Sequence, residues 1–386
     1  MLNPNGKVVL FGASILGKTV LDFLDAAGVT PLCFIDNDER KQQGSFHGLP
    51  VFSFKHYQQH YSGTQIIIAA NRYLEEIKQQ LTQAGETNFI SCFELFSSFD
   101  WEKLDLSKLQ KVFWVLAKDE ELSKHIKVPE TALHLPRLNV VITTRCTLRC
   151  RDCSSLIPHY QKHSDFSLKQ LCNDIESFFK HVDMIYHLEV LGGEPFMHKE
   201  LPEIVKFIVD SGKVLHLDVV TNGTLLPSQK VLEQLHYENL SVVIDDYGPS
   251  SPKLQLLADT LTREGIDFRI NRHWAWADLG GFEARQRSDA QNRAIFSSCN
   301  FNTCAEMLNG RIFRCPRSSH GTALGVVPDY PGDYLEISRL GAAPAPKEVI
   351  RQFFAEKCLR SCDHCNGNSP ETLKLKVAEQ TGVTHE

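Results

Sequence analysis

Three cysteines within the stretch Cys146-Thr147-Leu148-Arg149-Cys150-Arg151-Asp152-Cys153 constrain this chain more than any other segment. They follow the apolar run Leu138-Asn139-Val140-Val141-Ile142, which reads as a strand. A strand that ends in a cysteine loop holds its sulfurs at one end of a sheet, where backbone can wrap a metal group. Thiolates are the ligands that iron–sulfur clusters require. A tetrahedral zinc would need a fourth protein ligand, and the nearest candidate is His159. Three thiolates on a 4Fe–4S cluster leave one iron open to something else.

A second motif follows the next predicted strand, Leu188-Glu189-Val190-Leu191, and reads Gly192-Gly193-Glu194-Pro195. Glycine is the residue that lets backbone approach a neighbour closely. The two motifs, each after a predicted strand and in this order, resemble those of the radical S-adenosylmethionine (radical SAM) superfamily. The resemblance implies a 4Fe–4S cluster on Cys146, Cys150 and Cys153. It also implies SAM binding by Gly192, Gly193 and Glu194. The family has an aromatic residue just before the third cysteine, where this chain has Asp152.

Strand and helix alternate from there on. Helices are expected from the capping pattern Ser167-Leu168-Lys169-Gln170, over 200–211 with Gly212 as its stop, and from Ser251-Pro252 to Gly265. Strands are expected at Val214–Val220, Leu240–Ile244 and Phe268–Ile270. Alternation of this kind argues for a parallel sheet covered by helices, and the resemblance implies a partial (β/α)6 TIM-like barrel. Chemistry in such barrels collects at the C-terminal ends of strands. That end would carry Asn222 and Asp245, expected at SAM, together with Asp246, Tyr247 and Asn271. Trp274 and Trp276 are spaced to share one side of an extended segment, walling a pocket or closing the barrel bottom.

The N-terminal stretch is a separate α/β unit. Gly12-Ala13-Ser14-Ile15-Leu16-Gly17 follows the strand Lys7–Phe11 and opens a helix, and the strand Pro31–Ile35 ends at Asp36. This is the order of a Rossmann-like βαβ unit, with phosphate at the helix N-terminus and a carboxylate on ribose. Gly12, Ser14, Gly17 and Asp36 are its candidate nucleotide ligands, although Ser14 stands where the motif has its middle glycine. The alternative is a docking module. Cys33, Cys92 and Cys172 are expected to be structural. A helix around Val112, Val115 and Leu116 is expected within a linker.

Cys299, Cys304, Cys315, Cys358, Cys362 and Cys365 close the chain. Gly310-Arg311-Ile312-Phe313-Arg314-Cys315 and Cys362-Asp363-His364-Cys365 resemble the SPASM/Twitch extensions, which hold an auxiliary 4Fe–4S cluster. The resemblance implies Cys299, Cys315, Cys362 and Cys365 as ligands, with Cys304 or Cys358 as substitutes. A structural zinc is the competing occupant.

The expected organisation is 1–100 Rossmann-like, 101–135 linker, 136–285 radical SAM core, 286–370 auxiliary-cluster region and 371–386 a polar tail. Twelve cysteines in 386 residues with no export signal suit metal chemistry better than disulfides. A net charge of −6 gives no footprint for nucleic acid. No apolar run reaches the length of a membrane span, so a cytoplasmic location is expected. The implied activity is reductive cleavage of SAM to a 5′-deoxyadenosyl radical that takes hydrogen from a sugar, nucleotide-sugar or related small metabolite. An external flavodoxin- or ferredoxin-type donor would supply the electron. The alternatives are peptide modification and a non-catalytic nucleotide-binding scaffold.

Overall fold

The computed structural model describes residues 7–42, 44–70, 73–98 and 131–381. The chain divides into two compact units, Met1–Glu130 and Thr131–Glu386. The helix expected around Val112, Val115 and Leu116 lies outside the described residues.

In the first unit, β1 (Val8–Phe11), β2 (Phe34–Ile35), β3 (Ser45–Phe46), β4 (Leu49–Phe52), β5 (Gln65–Ile68) and β6 (Phe89–Ser91) form one sheet in the order β3-β4-β2-β1-β5-β6. All pairings are parallel except β3 with β4. The helix Ile15–Ala26 starts where the Ser14 side chain accepts from Gly17 N, and it ends before Gly28, whose φ of +74° suits only glycine well. Cys33 and Cys92 are fully buried. Cys92 opens the helix Cys92–Ser98. Ser91 and Glu94 cap that helix reciprocally, Ser91 N donating to Glu94 Oε2 (2.7 Å) and Glu94 N to Ser91 Oγ (3.2 Å).

The second unit is built on an eight-stranded sheet. β7 (His134–Thr143), β8 (Met184–Gly192), β9 (Val214–Thr221), β10 (Leu240–Asp246) and β11 (Phe268–Arg272) pair in sequence order, all parallel. β12 (Trp276–Ala277) stands apart. β13 (Glu306–Leu308) joins the free side of β7 in parallel, and β14 (Arg311–Phe313) and β15 (Tyr334–Glu336) extend it antiparallel. The cysteine-rich region therefore shares a sheet with the core strands. β7 starts at His134, inside the expected linker, and Pro136 sits within it at an exposed position.

Side chains alternate across this sheet. One face, with Leu138, Val140, Leu188, Val190, Leu217, Val219, Val242 and Ile244, packs on helices Leu168–Phe179, Leu201–Asp210 and Leu254–Glu264. Each fully buried aliphatic there contributes roughly 1.5–3 kcal/mol. The opposite face is polar. Asp218, fully buried, accepts from His187 Nε2 (2.5 Å), His216 Nε2 (3.0 Å), Ser241 Oγ (2.8 Å) and the Arg269 guanidinium, while Arg137 pairs with Glu189. The described residues contain no helix long and apolar enough to cross a membrane.

Three sequence expectations need correction. Ser251 does not cap the following helix, which begins at Leu254 with Lys253 as its N-cap. Trp274 is 86 % exposed, so it neither walls a pocket nor closes a barrel. Residues 371–381 are not a free tail. β16 (Lys374–Leu375) pairs antiparallel with β12, and Ala378 beyond it is buried.

Candidate functional site

The C-terminal end of β7 turns at Thr143, whose hydroxyl donates to Asp165 Oδ1 (2.7 Å) and accepts from Arg145 N (3.0 Å). The Arg145 guanidinium pairs with the same carboxylate at 2.9 Å. This fixes the start of the cysteine loop. The Gly-Gly-Glu turn after β8 is bonded directly to it, Gly193 N donating to Thr143 O (2.9 Å) and Glu194 N to Arg145 O (2.8 Å). A Cβ on Gly192 would lie 2.3 Å from Thr143 O. The close approach that glycine permits here is thus to the cysteine loop's own backbone.

Glu194 is fully buried and accepts from Thr221 Oγ1 (2.9 Å), Asn222 N (2.9 Å) and Phe196 N (3.1 Å). Burial pushes its carboxyl up to about 7. The Asn222 side chain, placed by that contact at the end of β9, donates to Cys146 Sγ (3.5 Å) and Thr147 Oγ1 (3.1 Å). Asp245, one residue before the end of β10, accepts from Asn271 Nδ2 (3.0 Å), His273 Nε2 (2.9 Å) and Tyr247 Oη (3.2 Å). Tyr247 packs edge-on against Trp276. The sequence-predicted residues of five strand ends, β7 to β11, are therefore gathered at one end of the sheet.

The sulfurs meet N–H donors. Leu148 N donates to Cys146 Sγ (3.4 Å), Gln380 Nε2 to Cys150 Sγ (3.3 Å), and the amides of Ile157, Ser155 and Leu156 face Cys153. Burial pushes the free thiols up, Cys146 to about 12 and Cys150 to about 11. Donors aimed at buried sulfur favour thiolate, which a cation must complete.

Four of the C-terminal cysteines, Cys299, Cys315, Cys362 and Cys365, line one cavity of about 480 Å³ including its mouth. Cys304 and Cys358 are not among its lining residues. Phe301 N and Asn368 N each donate to Cys299 Sγ at 3.4 Å, and Gly367 N donates to Cys365 Sγ at 3.3 Å. Two further lining groups, Arg317 Nε and Ser318 Oγ, are buried with no hydrogen-bond partner. An anionic sulfide-bearing group would accept from both, whereas zinc would not. Among the described residues, the one three-ligand group whose atoms all lie within 4.8 Å is His187, Glu189 and Asp218. At the C-terminal set the unpartnered Arg317 Nε and Ser318 Oγ therefore suit an iron–sulfur cluster better than zinc.

No family model matches the chain. It is 26 % identical over 118 residues to an S-adenosylmethionine-dependent nucleotide dehydratase of Selenomonas ruminantium, covering 30 % of this chain and 41 % of that protein. It is 29 % identical over 142 residues to a GTP 3′,8-cyclase of Campylobacter jejuni, covering 35 % and 43 %. The matches thus span less than half of these curated relatives. These likenesses fall on a chain that carries both motifs hydrogen-bonded to each other. The motifs and these relatives together indicate the radical SAM superfamily. Among solved structures, BtrN in complex with AdoMet and 2-DOIA aligns at TM-score 0.40 and 15 % identity, over 64 % of this chain and 96 % of that one. That likeness is too slight to bear on the fold.

Asp152, at the position of that family's aromatic, pairs with Arg151 at 3.1 Å. In the N-terminal unit the four candidate nucleotide ligands have partners within the chain. Asp36 Oδ2 accepts from Ala13 N (2.9 Å) and Lys41 Nζ (3.0 Å), and its Oδ1 accepts from Asp38 N (2.9 Å). Ser14 Oγ caps Gly17 N, and a Cβ on Gly17 would fall 2.0 Å from Gly12 O.

Sequence reasoning missed Thr147, Thr224, Ser251 and Gln380. Thr147 and Thr224 hydroxyls meet at 2.5 Å. Ser251 Oγ lies 2.8 Å from Asn222 O and 3.1 Å from Asp245 O, joining two strand ends. No local pattern marks any of them as a site residue, Ser251 reading only as a helix start.

Proposed function

We propose that the chain is a radical SAM enzyme acting on a nucleotide, nucleotide-sugar or related small polar metabolite. Cys146, Cys150 and Cys153 would hold the SAM-binding 4Fe–4S cluster, and Cys299, Cys315, Cys362 and Cys365 an auxiliary one. When bound and reduced, the first cluster supplies the electron that cleaves SAM to a 5′-deoxyadenosyl radical able to take hydrogen from substrate. The observation that carries this reading is the hydrogen-bonded junction of the Gly193-Glu194 turn, Asn222 and the Cys146 loop at one sheet end. The chain's own residues orient the reactants there: Glu194 fixes Asn222, Asn222 and Leu148 N brace Cys146, and Asp245 with Tyr247 walls the next strand end. The two relatives are named for nucleotide substrates, which favours a nucleotide-linked substrate here.

Anaerobic reconstitution with iron, sulfide and reductant tests this. The wild type is expected to convert SAM to 5′-deoxyadenosine, and a protein with Cys146, Cys150 and Cys153 all replaced by Ala is expected not to. Product formation by that triple variant would overturn the assignment.

A further inference from the structure

The segment from Cys365 to Thr381 runs from one cysteine site to the other and is bonded to both. At its start Gly367 N and Asn368 N donate to Cys365 Sγ and Cys299 Sγ. It turns at Ser369–Thr372, where Ser369 N donates to Thr372 Oγ1 (3.0 Å), and then pairs with β12, Trp276 opposite Leu375. Asp278 N donates to Leu373 O at 2.8 Å. At its end it lies antiparallel to the cysteine loop, with Gln380 bridged to Cys150. Arg151 N donates to Glu379 O and Thr381 N to Arg149 O, both at 2.7 Å, and the Glu379 carboxylate pairs with Arg151 at 2.8 Å.

The Gln380 side chain completes this contact. Its Oε1 accepts from Arg149 N at 2.7 Å, and its Nε2 donates to Cys150 Sγ at 3.3 Å and to Ala378 O at 2.7 Å. The amide orientation follows from chemistry, because Arg149 N can only donate and Ala378 O can only accept. The N–H is therefore turned toward the sulfur. Cys146 and Cys153 receive donors from within or just beyond the cysteine loop, or from Asn222 at the end of β9. Cys150 receives its side-chain donor from a residue 230 positions away.

We propose that residues 372–381 are a strap that holds the Cys146–Cys153 loop, and that Gln380 is a positioning residue whose amide tunes the metal group bound through Cys150. The proposal rests on the reading that this triad holds a 4Fe–4S cluster. Reduction puts negative charge on the cluster and its ligand sulfurs, and a hydrogen-bond donor stabilises that charge. The Gln380 amide therefore raises the reduction potential. The strap continues a segment whose Gly367 and Asn368 amides donate to Cys365 and Cys299, so one stretch of chain links the auxiliary site to the loop that carries Cys150.

The test uses the full chain, reconstituted anaerobically, with the midpoint potential of the SAM-site cluster followed by electron paramagnetic resonance. Gln380→Leu removes both side-chain contacts to the loop. Gln380→Glu can still accept from Arg149 N but cannot donate to sulfur. Both are expected to shift the potential to more negative values at wild-type iron content, whereas Glu379→Ala, which keeps the amide, is expected to leave it unchanged. A wild-type potential in both Gln380 variants would overturn the tuning role. Hydrogen exchange on the iron-free chain supplies the second readout. Gln380→Leu is expected to speed exchange at Arg149 N, and a stop after Glu371 at both Arg149 N and Arg151 N. Unchanged protection in both would overturn the strap. A wild type that takes up no iron at the triad refutes the proposed function instead, and the exchange measurement still judges the strap.

Discussion

Gly193 and Arg145 stand closer than any side chain allows: a Cβ on Gly193 would lie 2.1 Å from the Arg145 carbonyl oxygen and 2.9 Å from Cys146 Cβ. The glycine turn is seated on the cysteine loop, so a group added there must push Cys146.

Gly193→Ala is accordingly expected to destabilise the protein by roughly 1–3 kcal/mol, the usual cost of forcing atoms into a packed site. It is also expected to lower 5′-deoxyadenosine formation by about tenfold or more, as a misplacement near 1 Å does. Gly212→Ala is the control, since Gly212 has a φ of +65° but nothing within 4 Å of the added carbon. It should cost about 1 kcal/mol and leave activity per folded molecule intact. Urea unfolding and a SAM cleavage assay separate the two.

The cavity shared by Cys299, Cys315, Cys362 and Cys365 predicts iron stoichiometry. The wild type is expected to carry about eight irons per chain, as two four-iron clusters. Replacing Cys315 and Cys362 together by Ser should remove about four, whereas Cys304→Ser and Cys358→Ser should remove none. Stoichiometric zinc in place of the second four irons would overturn the auxiliary-cluster assignment.

Asp218 provides a pH prediction. Burial opposes its charge, but hydrogen bonds from His187, His216 and Arg269 hold its carboxyl well below the usual carboxylate range. A carboxyl depressed on folding contributes stability that is present above its unfolded value, about 3.9. That contribution is lost as pH falls toward the folded value. Asp218→Asn leaves this buried network one charge short and is expected to cost roughly 3 kcal/mol at pH 7. The gap to wild type should close as pH falls below about 4. Denaturant unfolding of iron-free protein at a series of pH values measures it.

The elements legible in the sequence were those set by local periodicity. Leu171, Ile175 and Phe178 line one face of a helix, and Leu240–Ile244 forms a strand, because burial of a repeating apolar face decides both. The grouping of Cys299, Cys315, Cys362 and Cys365, expected from their resemblance to a known pattern, appears in the fold as one shared cavity. What escaped was set by long-range partners. Ser251 and Pro252 carry a good helix start, yet the Ser251 hydroxyl is recruited by Tyr247 N (3.0 Å) and Asn222 O, so the helix begins later. Gln380 sits in a polar stretch that reads as a tail, and only the fold brings it to Cys150. Trp274 follows the same spacing rule as a core aromatic, and nothing local reveals that it faces solvent.

The N-terminal unit yields the last prediction. Its glycine turn has the order of a nucleotide site, but its polar groups are already engaged. Ser14 Oγ caps the helix at Gly17 N, where a phosphate would sit. Asp36, which would take a ribose hydroxyl, is held by Ala13 N, Lys41 and Asp38 N. A nucleotide would have to displace the Lys41 pair before gaining its own contacts. NAD and nucleotide sugars at millimolar concentration are therefore expected to leave the melting of this unit unmoved in the full chain, the outcome that favours a docking role. Ligands that bind only the folded state raise melting temperature by mass action, so thermal unfolding reads the outcome directly. Gly12→Val is a poor probe, because a Cβ there would lie 2.7 Å from Ala69 O and disturb the turn itself. Lys41→Ala and Ser14→Ala are the informative variants: a nucleotide-induced shift in wild type that either one abolishes would restore the nucleotide site and overturn the docking assignment.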